Sequence, residues 1–311
     1  TTSVAVVNLN GELLGEKRIP LKVSPGKRGL QQSEGVFQHV QNMKNIFQDI
    51  KSFSKKENIM AISASTKPRP IKGSYMPVFT VGESQGKVIS SLLNIPFWAT
   101  THQEGHIFSG LWSINKEPKG NFLVCHFSGG TSELILVEYD QKDPSLQLEI
   151  LGKTEDLHAG QFVDRVGVAL GLPFPAGPHL EKLASTSNGQ DIYIPSAVKG
   201  LNFSFSGGET HALRLIMTEH DEKAIARAVE RAIANTIEKI VRQAIQETGL
   251  RNILFVGGVM ANQFIKDRLK LRLEHPAVGG KLSFAKPLYS TDNAVGVALS
   301  GVRAITEGKL N

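Results

Sequence analysis

Cysteine is almost absent. Cys125 is the single one among 311 residues, which excludes an intramolecular disulfide framework and any Cys-rich zinc module. Long apolar runs are missing too. Nothing in the chain approaches the roughly eighteen residues that a membrane helix needs, so no membrane partner is expected. The opening residues, Thr1-Thr2-Ser3, carry no basic-plus-apolar leader, so no export signal is expected and a cytoplasmic enzyme is the default class. Charge of one sign is in small excess: 35 Lys and Arg against 29 Asp and Glu give a formal net charge of +6. With 21% charged and 41% hydrophobic residues, the composition is that of an ordinary globular protein, long enough for about two domains. A pI of 9.3 leans mildly towards a polyanionic partner.

What is there has an order. Ser3-Val4-Ala5-Val6-Val7 alternates as a strand, turns at Asn8-Leu9-Asn10-Gly11 and returns through Glu12-Leu13-Leu14, a strong hairpin signal. A helix is expected over 35–50, a strand over 60–65, a Pro-rich loop over 67–77 and a helix over 84–93. The pattern then starts again. Phe122–Phe127 is a strand running into Ser128-Gly129-Gly130-Thr131-Ser132; 133–138 pairs with 146–151, and a helix follows over 160–170. Asn252–Val256 is a strand that ends in Gly257-Gly258 and enters a helix over 262–273. The longest helix, 221–248, places Ile225, Ala228, Ala232, Ile233, Ile237, Ile240, Val241 and Ala244 at helical spacing, and Gly249 stops it. No literal repeat is visible, but the order of turn, hairpin, helix, strand, Gly turn and helix recurs. That order fits two α/β halves of the ribonuclease-H or actin kind, whose hairpin turns face a phosphate-bearing ligand in a shared cleft. The alternative is one doubly wound α/β domain with extra hairpins.

Several segments can carry chemistry, and each also has a plain structural reading. His102 and His106 are four apart, so on a helix both imidazoles share a face and can point at one ion; the plain reading is two unrelated surface histidines. Glu104 sits one position too late for the His-Glu-x-x-His protease signature. The Gly pair of 128–132 lets backbone N–H groups approach a phosphate, or simply makes a hairpin turn. Gly257-Gly258 sits after a strand and before a helix, suited to close contact with a base or ribose, or to a tight turn. Tyr289–Asn293 precedes the apolar helix 294–305 and offers several N-cap residues. Asp164, followed by Arg165, reads as a surface ion pair, and Phe203–Gly208 as a small strand and turn.

Taken together and in this order, the segments resemble the universal tRNA threonylcarbamoyladenosine-synthesis family, whose catalytic subunit was long called an O-sialoglycoprotein endopeptidase. The likeness runs over nearly the whole chain. The family's His-x-Glu-Gly-His appears as His102–His106, and its Ser-Gly-Gly-His-Thr becomes Ser128-Gly129-Gly130-Thr131-Ser132. Gly-Arg-Thr appears as Gly152-Lys153-Thr154, Phe-Asp-Lys as Val163-Asp164-Arg165, and Pro-Gly-Gly-Pro as Pro175-Ala176-Gly177-Pro178. Phe-Ser-Phe-Ser-Gly is intact at 203–207, Gly-Gly-Val-x-Ala-Asn at 257–262 and Thr-Asp-Asn-Ala at 291–294. The departures are as specific. The family's first strand is absent ahead of Thr1, Thr66-Lys67-Pro68-Arg69-Pro70 replaces a Gly-Pro-Gly loop, and Leu157-His158 stands where Asp and Ala are usual. Gln161 replaces a Glu, and Gly208-Glu209 replaces Leu-Lys. The pattern is that of a diverged paralogue.

The resemblance implies a two-lobed, actin-like ATPase architecture. A ribonuclease-H-like lobe would span 1–105 without its first strand. A second would span 106–311, with the last helix packing back on the first lobe. It implies a metal site of His102, His106 and Asp292 for one divalent iron or zinc ion. Phe127, Ser128, Gly129, Gly130, Thr131, Asp164, Gly177, Glu181, Gly257, Gly258 and Asn262 would hold an adenine nucleotide or threonylcarbamoyl-adenylate. The implied reaction passes the threonylcarbamoyl group to a tRNA adenosine next to the anticodon. Its partners would be tRNA, bound weakly by the isolated chain, accessory subunits of the pathway, and a second copy or another protein in a dimer. The alternative is a non-catalytic nucleotide- or metal-binding scaffold; a metallopeptidase lacks a visible base or nucleophile.

Overall fold

The computed structural model describes residues 1–23, 30–50, 52–53, 55–187 and 192–310. Strands β1 (Thr2–Val7) and β2 (Leu13–Ile19) form the expected antiparallel hairpin. Its turn is built by Asn8, whose Oδ1 accepts from the amides of Asn10 and Glu12, and by Gly11 at φ 76°, a conformation a side chain would strain. Then come α1 (Gln32–Ile50), β3 (Ile62–Lys67), α2 (Val78–Leu93), β4 (Phe97–Thr101) and α3 (His102–Ser113), with β3 and β4 parallel. Helix α2 starts at Val78 rather than at 84, and β4 is a strand the sequence did not announce. It passes into α3 with no intervening turn residue.

The second half continues with β5 (Phe122–Phe127), β6 (Ser132–Glu138), β7 (Gln147–Lys153), α4 (Ala159–Ala169), α5 (Gly177–Ser185), β8 (Ala197–Lys199) and β9 (Asn202–Ser204). It closes with α6 (Ser206–Met217), α7 (Glu222–Thr248), β10 (Asn252–Val256), α8 (Gln263–Leu273), β11 (Lys281–Phe284), α9 (Pro287–Ser290) and α10 (Val295–Thr306). One five-stranded sheet runs β11-β10-β5-β6-β7. In it β10 is parallel to β5 and β11, and β6 is antiparallel to its neighbours. Successive residues of a strand face opposite layers. Leu123, Cys125 and Phe127 accordingly join the large core under the sheet with Ile225, Val229 and Ile233 of α7. Phe122 and Val124 join Ile107 and Phe108 of α3 on the other face.

The segment 203–208 corrects the reading of a small strand and turn. β9 ends at Ser204, and Gly207 and Gly208 lie inside α6. The helix starts there because Asp156, far away in sequence, accepts from the Phe205 amide at 2.9 Å and from the Ser206 hydroxyl. Helix α10 packs against β1, β3, β4 and α3, with Trp98 Nε1 donating to Ser300 Oγ at 2.8 Å. The hairpin β1–β2 and the pair β3–β4 are separate sheets. Between β1 and β3, walled by α1, α2 and α10, lies a cavity of about 1790 Å³.

Candidate functional site

Helix α3 begins where the chemistry is needed, because Thr101 caps it. Thr101 Oγ accepts from the Glu104 amide at 3.2 Å, and Glu104 Oε2 accepts from the Thr101 amide at 3.0 Å, a reciprocal capping box. Glu104 Oε1 also accepts from the Leu146 amide at 3.1 Å. The glutamate of 102–106 is thus spent on structure, and peptidase chemistry has no base there.

Capping fixes His102 and His106 on one face of the first turns. Their Nε2 atoms stand 3.2 Å apart. Asp292 comes from the loop between α9 and α10, and its Oδ1 lies 3.6 Å from His102 Nε2 and 3.4 Å from His106 Nε2. This approach depends on two glycines. A Cβ on Gly296 would sit 1.9 Å from the Gly105 carbonyl oxygen, and one on Gly105 would sit 3.1 Å from Val297 Cγ2, so α3 and α10 cross almost backbone to backbone. Ser109 Oγ, 3.0 Å from Asn293 Oδ1 and 3.1 Å from the Tyr289 carbonyl, locks the loop. Among the described residues this is a group of His, Cys, Asp or Glu donors able to hold a cation, all within 4.8 Å of one another.

The protonation of two of the donors is set by their surroundings. Burial, with the neighbouring His106 imidazole, pushes His102 down to about 4, so it is neutral near pH 7. Burial alone would raise the Asp292 carboxyl, but the His106 hydrogen bond and the two imidazoles hold it well below the usual range. Two imidazole nitrogens and one carboxylate suit a borderline cation such as zinc or iron.

The turn 128–131 lies on the same cavity as His102 and Asp292. It is seated on α4: the Gly160 amide donates to the Ser128 carbonyl at 3.1 Å, and a Cβ on Gly160 would meet Gly129 N at 2.6 Å. Ser128 Oγ accepts from Gly130 and Thr131 amides at 3.3 and 3.1 Å. Gly129 and Gly130 have open space above them, so a ligand can come close to this backbone. Phe127 is different: its side chain is fully buried and stacked on Phe203 in the core.

Of the remaining expected residues, Asp164, Gly177, Glu181 and Asn262 lie around the starts of α5 and α8, whereas Gly257 and Gly258 lie between Phe127 and the 290–291 segment next to Asp292. Asp164 is no surface ion pair. Its Oδ1 accepts from the Ala176 amide at 2.8 Å, while burial raises its carboxyl; Arg165 instead pairs with Glu209 at 3.1 Å. Gly177 opens α5, and Glu181 on that helix accepts from the Gln263 amide at 2.7 Å. Asn262 is committed at both ends, its Oδ1 capping α8 through the Ile265 amide at 2.9 Å and its Nδ2 donating to Glu230 at 2.6 Å. Gly257 has a steric reason of its own. At φ 98°, a Cβ there would lie 2.2 Å from the Phe127 carbonyl oxygen. Gly258 has Thr291 Cγ2 at 3.8 Å.

Four residues at or beside the cleft had no functional role in the sequence reading. Arg69, in the loop that replaces Gly-Pro-Gly, pairs with Glu133 at 2.5 Å, and Gln103 Nε2 donates to the same carboxylate at 2.7 Å. His126 is 2% exposed, with neither ring nitrogen hydrogen-bonded, and its ring lies 4.5 Å from that of His106. Burial and the neighbouring imidazoles push it well below the ordinary histidine range. Strand alternation was the available signal: position 126 shares the face of Phe122 and Val124, where an apolar side chain is expected.

The chain is similar to known proteins at two levels, family and fold. The sequence model of the family described as tRNA N6-adenosine threonylcarbamoyltransferase matches residues 30–299. Among solved structures, HypF of T. kodakarensis superposes with a TM-score of 0.64 at 14% identity, over 87% of this chain and 44% of that one. The Acidaminococcus fermentans (R)-2-hydroxyglutaryl-CoA dehydratase component A superposes with a TM-score of 0.55 at 12% identity, over 97% of this chain and 94% of that one. The activator of the Clostridium difficile 2-hydroxyisocaproyl-CoA dehydratase gives 0.52 at 12%, over 99% and 92%. The chain therefore spans less than half the length of HypF, and at these identities the likeness is one of fold: the two-lobed, actin-like ATPase architecture.

Proposed function

The chain belongs to the tRNA N6-adenosine threonylcarbamoyltransferase family, and we propose that it transfers the threonylcarbamoyl group of threonylcarbamoyl-adenylate to a tRNA adenosine. The observation that carries this reading is the meeting of His102, His106 and Asp292 at 3.2–3.6 Å on a cavity shared with the open 128–131 turn. A divalent iron or zinc ion bound by the three side chains would supply Lewis-acid polarisation of an acyl oxygen. His102, neutral at pH 7, and ionised Asp292 accept such an ion without first losing protons. Gly129 and Gly130 leave backbone exposed to the adenylate phosphate, and Ser128 can exchange its internal hydrogen bonds for phosphate oxygens. The adenosine N6 amine attacks the carbamoyl carbon, the bond from that carbon to the phosphate oxygen breaks, and AMP leaves with the electron pair while N6 loses a proton.

The net charge of +6 is modest and is consistent with weak phosphate contacts by the chain alone, with tRNA affinity falling steeply with salt. Glu209 tempers this by neutralising Arg165. Accessory subunits that widen the basic surface raise affinity in this reading. Mass spectrometry of nucleosides from tRNA incubated with the chain, its partner subunits and threonylcarbamoyl-adenylate tests the proposal. Modified adenosine is expected with the unaltered chain and none with His102→Ala, whose tRNA affinity stays nearly unchanged. No product with iron or with zinc, partners present, overturns the reading in favour of a nucleotide-binding scaffold.

A further inference from the structure

We propose that Arg69 forms a carboxylate-binding subsite in the cleft, where its guanidinium holds the threonine carboxylate of the transferred group. The proposal deepens the transfer reading above and rests on it. Arg69 stands in the loop after β3, between Pro68 and Pro70, which narrow the backbone freedom on either side of it. The loop is docked on the start of α3. The Gln103 amide donates to the Pro68 carbonyl at 3.0 Å, and the Arg69 amide donates to Ser74 Oγ at 3.1 Å. Gln103 follows His102 directly in the chain, so this contact sets the arginine beside the first of the candidate metal ligands. Arg69, His102, Asp292 and the 128–131 turn all line one cavity. Among the described residues that line it, Arg69 is the only lysine or arginine.

The side chain is held rather than free. Arg69 Nη2 meets Glu133 Oε1 at 2.5 Å, and Gln103 Nε2 donates to Oε2 of the same carboxylate at 2.7 Å. The Glu133 side chain is 2% exposed and that of Arg69 is 33% exposed. One end of the guanidinium is therefore fixed from behind. Among the described residues, none meets its Nε or Nη1. A buried ion pair adds little net stability over apolar side chains of the same size; what this one supplies is orientation. Arginine presents a planar fork of N–H donors that matches the two coplanar oxygens of a carboxylate. Threonylcarbamoyl-adenylate carries two anionic groups. The open 128–131 backbone faces the phosphate in the transfer reading, which leaves the carboxylate for the one cationic side chain of the cavity.

Calorimetry on the full chain, comparing AMP, which lacks the amino acid, with threonylcarbamoyl-adenylate, tests the subsite. The variants are Arg69→Lys and the pair Arg69→Ala with Glu133→Gln. The pair removes the buried charge together with its partner, so it should melt close to the unaltered protein. It is expected to bind threonylcarbamoyl-adenylate about 10–100-fold more weakly, the range for hydrogen bonds to a charged group, and AMP with unchanged affinity. Arg69→Lys keeps the counter-charge of Glu133 but loses the fork, so its loss should be smaller and again confined to threonylcarbamoyl-adenylate. It decides the matter if the paired variant melts low. Equal losses for both ligands would assign the guanidinium to the phosphate or to the fold and overturn the carboxylate subsite, as would no loss for either. An unaltered chain that binds neither ligand overturns the adenylate reading of the cleft as well.

Discussion

Glu133 is a carboxylate buried to 1% exposure behind the cavity-lining Arg69 and Gln103, and these two side chains keep it there. Burial raises its carboxyl, while Arg69 and the Gln103 hydrogen bond pull it back. Removing one partner of a buried pair leaves an uncompensated charge. Arg69→Ala should therefore cost about 3 kcal/mol in urea unfolding, and Arg69→Ala with Glu133→Gln should recover most of it. An equal loss in both variants would mean that the arginine acts through packing. Glu230 gives a pH signature. It is 1% exposed, between Arg227 Nη1 and Asn262 Nδ2, each at 2.6 Å, and burial raises its carboxyl to about 7. A folded value above the unfolded one means that the folded state keeps a proton the unfolded chain has released. Stability from this group is complete below about pH 4.5 and declines as pH rises towards 7. Glu230→Gln should flatten the change in unfolding free energy between pH 5 and 8; a curve as steep as that of the unaltered chain would assign the slope to other groups. Neither residue was legible in the sequence. An isolated Arg in a Pro-rich loop and a Glu inside a long helix look like solvated charges, and only tertiary burial makes them otherwise.

Elements whose signals are local were read correctly, and elements that depend on distant partners were not. β5 is apolar but for His126 and β10 is apolar after Asn252, both followed by small residues, and α7 has Asp221 at its start and Gly249 at its end. β4 gave no signal because it joins α3 without a turn. α6 read as a turn because its two glycines suppress helix propensity, and the residue that caps its start, Asp156, lies in another segment. The site divides in the same way. The spacing of His102 and His106 predicts a shared face, whereas the arrival of Asp292 rests on the α3–α10 crossing, which no spacing records. That crossing makes a prediction for the two helices as a unit. A methyl group on Gly296 cannot coexist with the Gly105 carbonyl at 1.9 Å, so Gly296→Ala must push α10 outward. Overpacking of this kind costs about 1–3 kcal/mol. Asp292 lies one turn ahead of the clash, so zinc affinity measured by chelator competition should fall at least about 10-fold, in line with the loss expected when a ligand's support is disturbed. Unaltered zinc binding in a destabilised Gly296→Ala protein would show that the Asp292 loop is held by Ser109 alone.

Across the whole molecule the two halves are unequally built, and this should govern which opens first. In the five-stranded sheet β5 has a bonded neighbour on each side, β10 and β6, and all six of its residues are buried. It is covered by α7 on one face and α3 on the other. The strands of the first half are arranged in two-stranded sheets, and β1 and β3 flank the cavity of about 1790 Å³. Most of their residues are only half-buried. Local opening is easiest where apolar contacts are few and backbone hydrogen bonds lie near solvent. Hydrogen exchange followed by mass spectrometry should show peptides over 2–7 and 62–67 losing protection well before the peptide over 122–127, at neutral pH and without denaturant. Helix α3 lies between these zones, since its first residues border the cavity while Ile107 and Phe108 pack on the sheet. Under the proposed metal reading, added zinc would tie His102 and His106 to Asp292, and exchange should slow in α3 and in 292–297 while 122–127 stays unchanged. Equal protection of 2–7 and 122–127 in the metal-free protein would mean that the two halves open as one cooperative unit, with the cavity closed in solution.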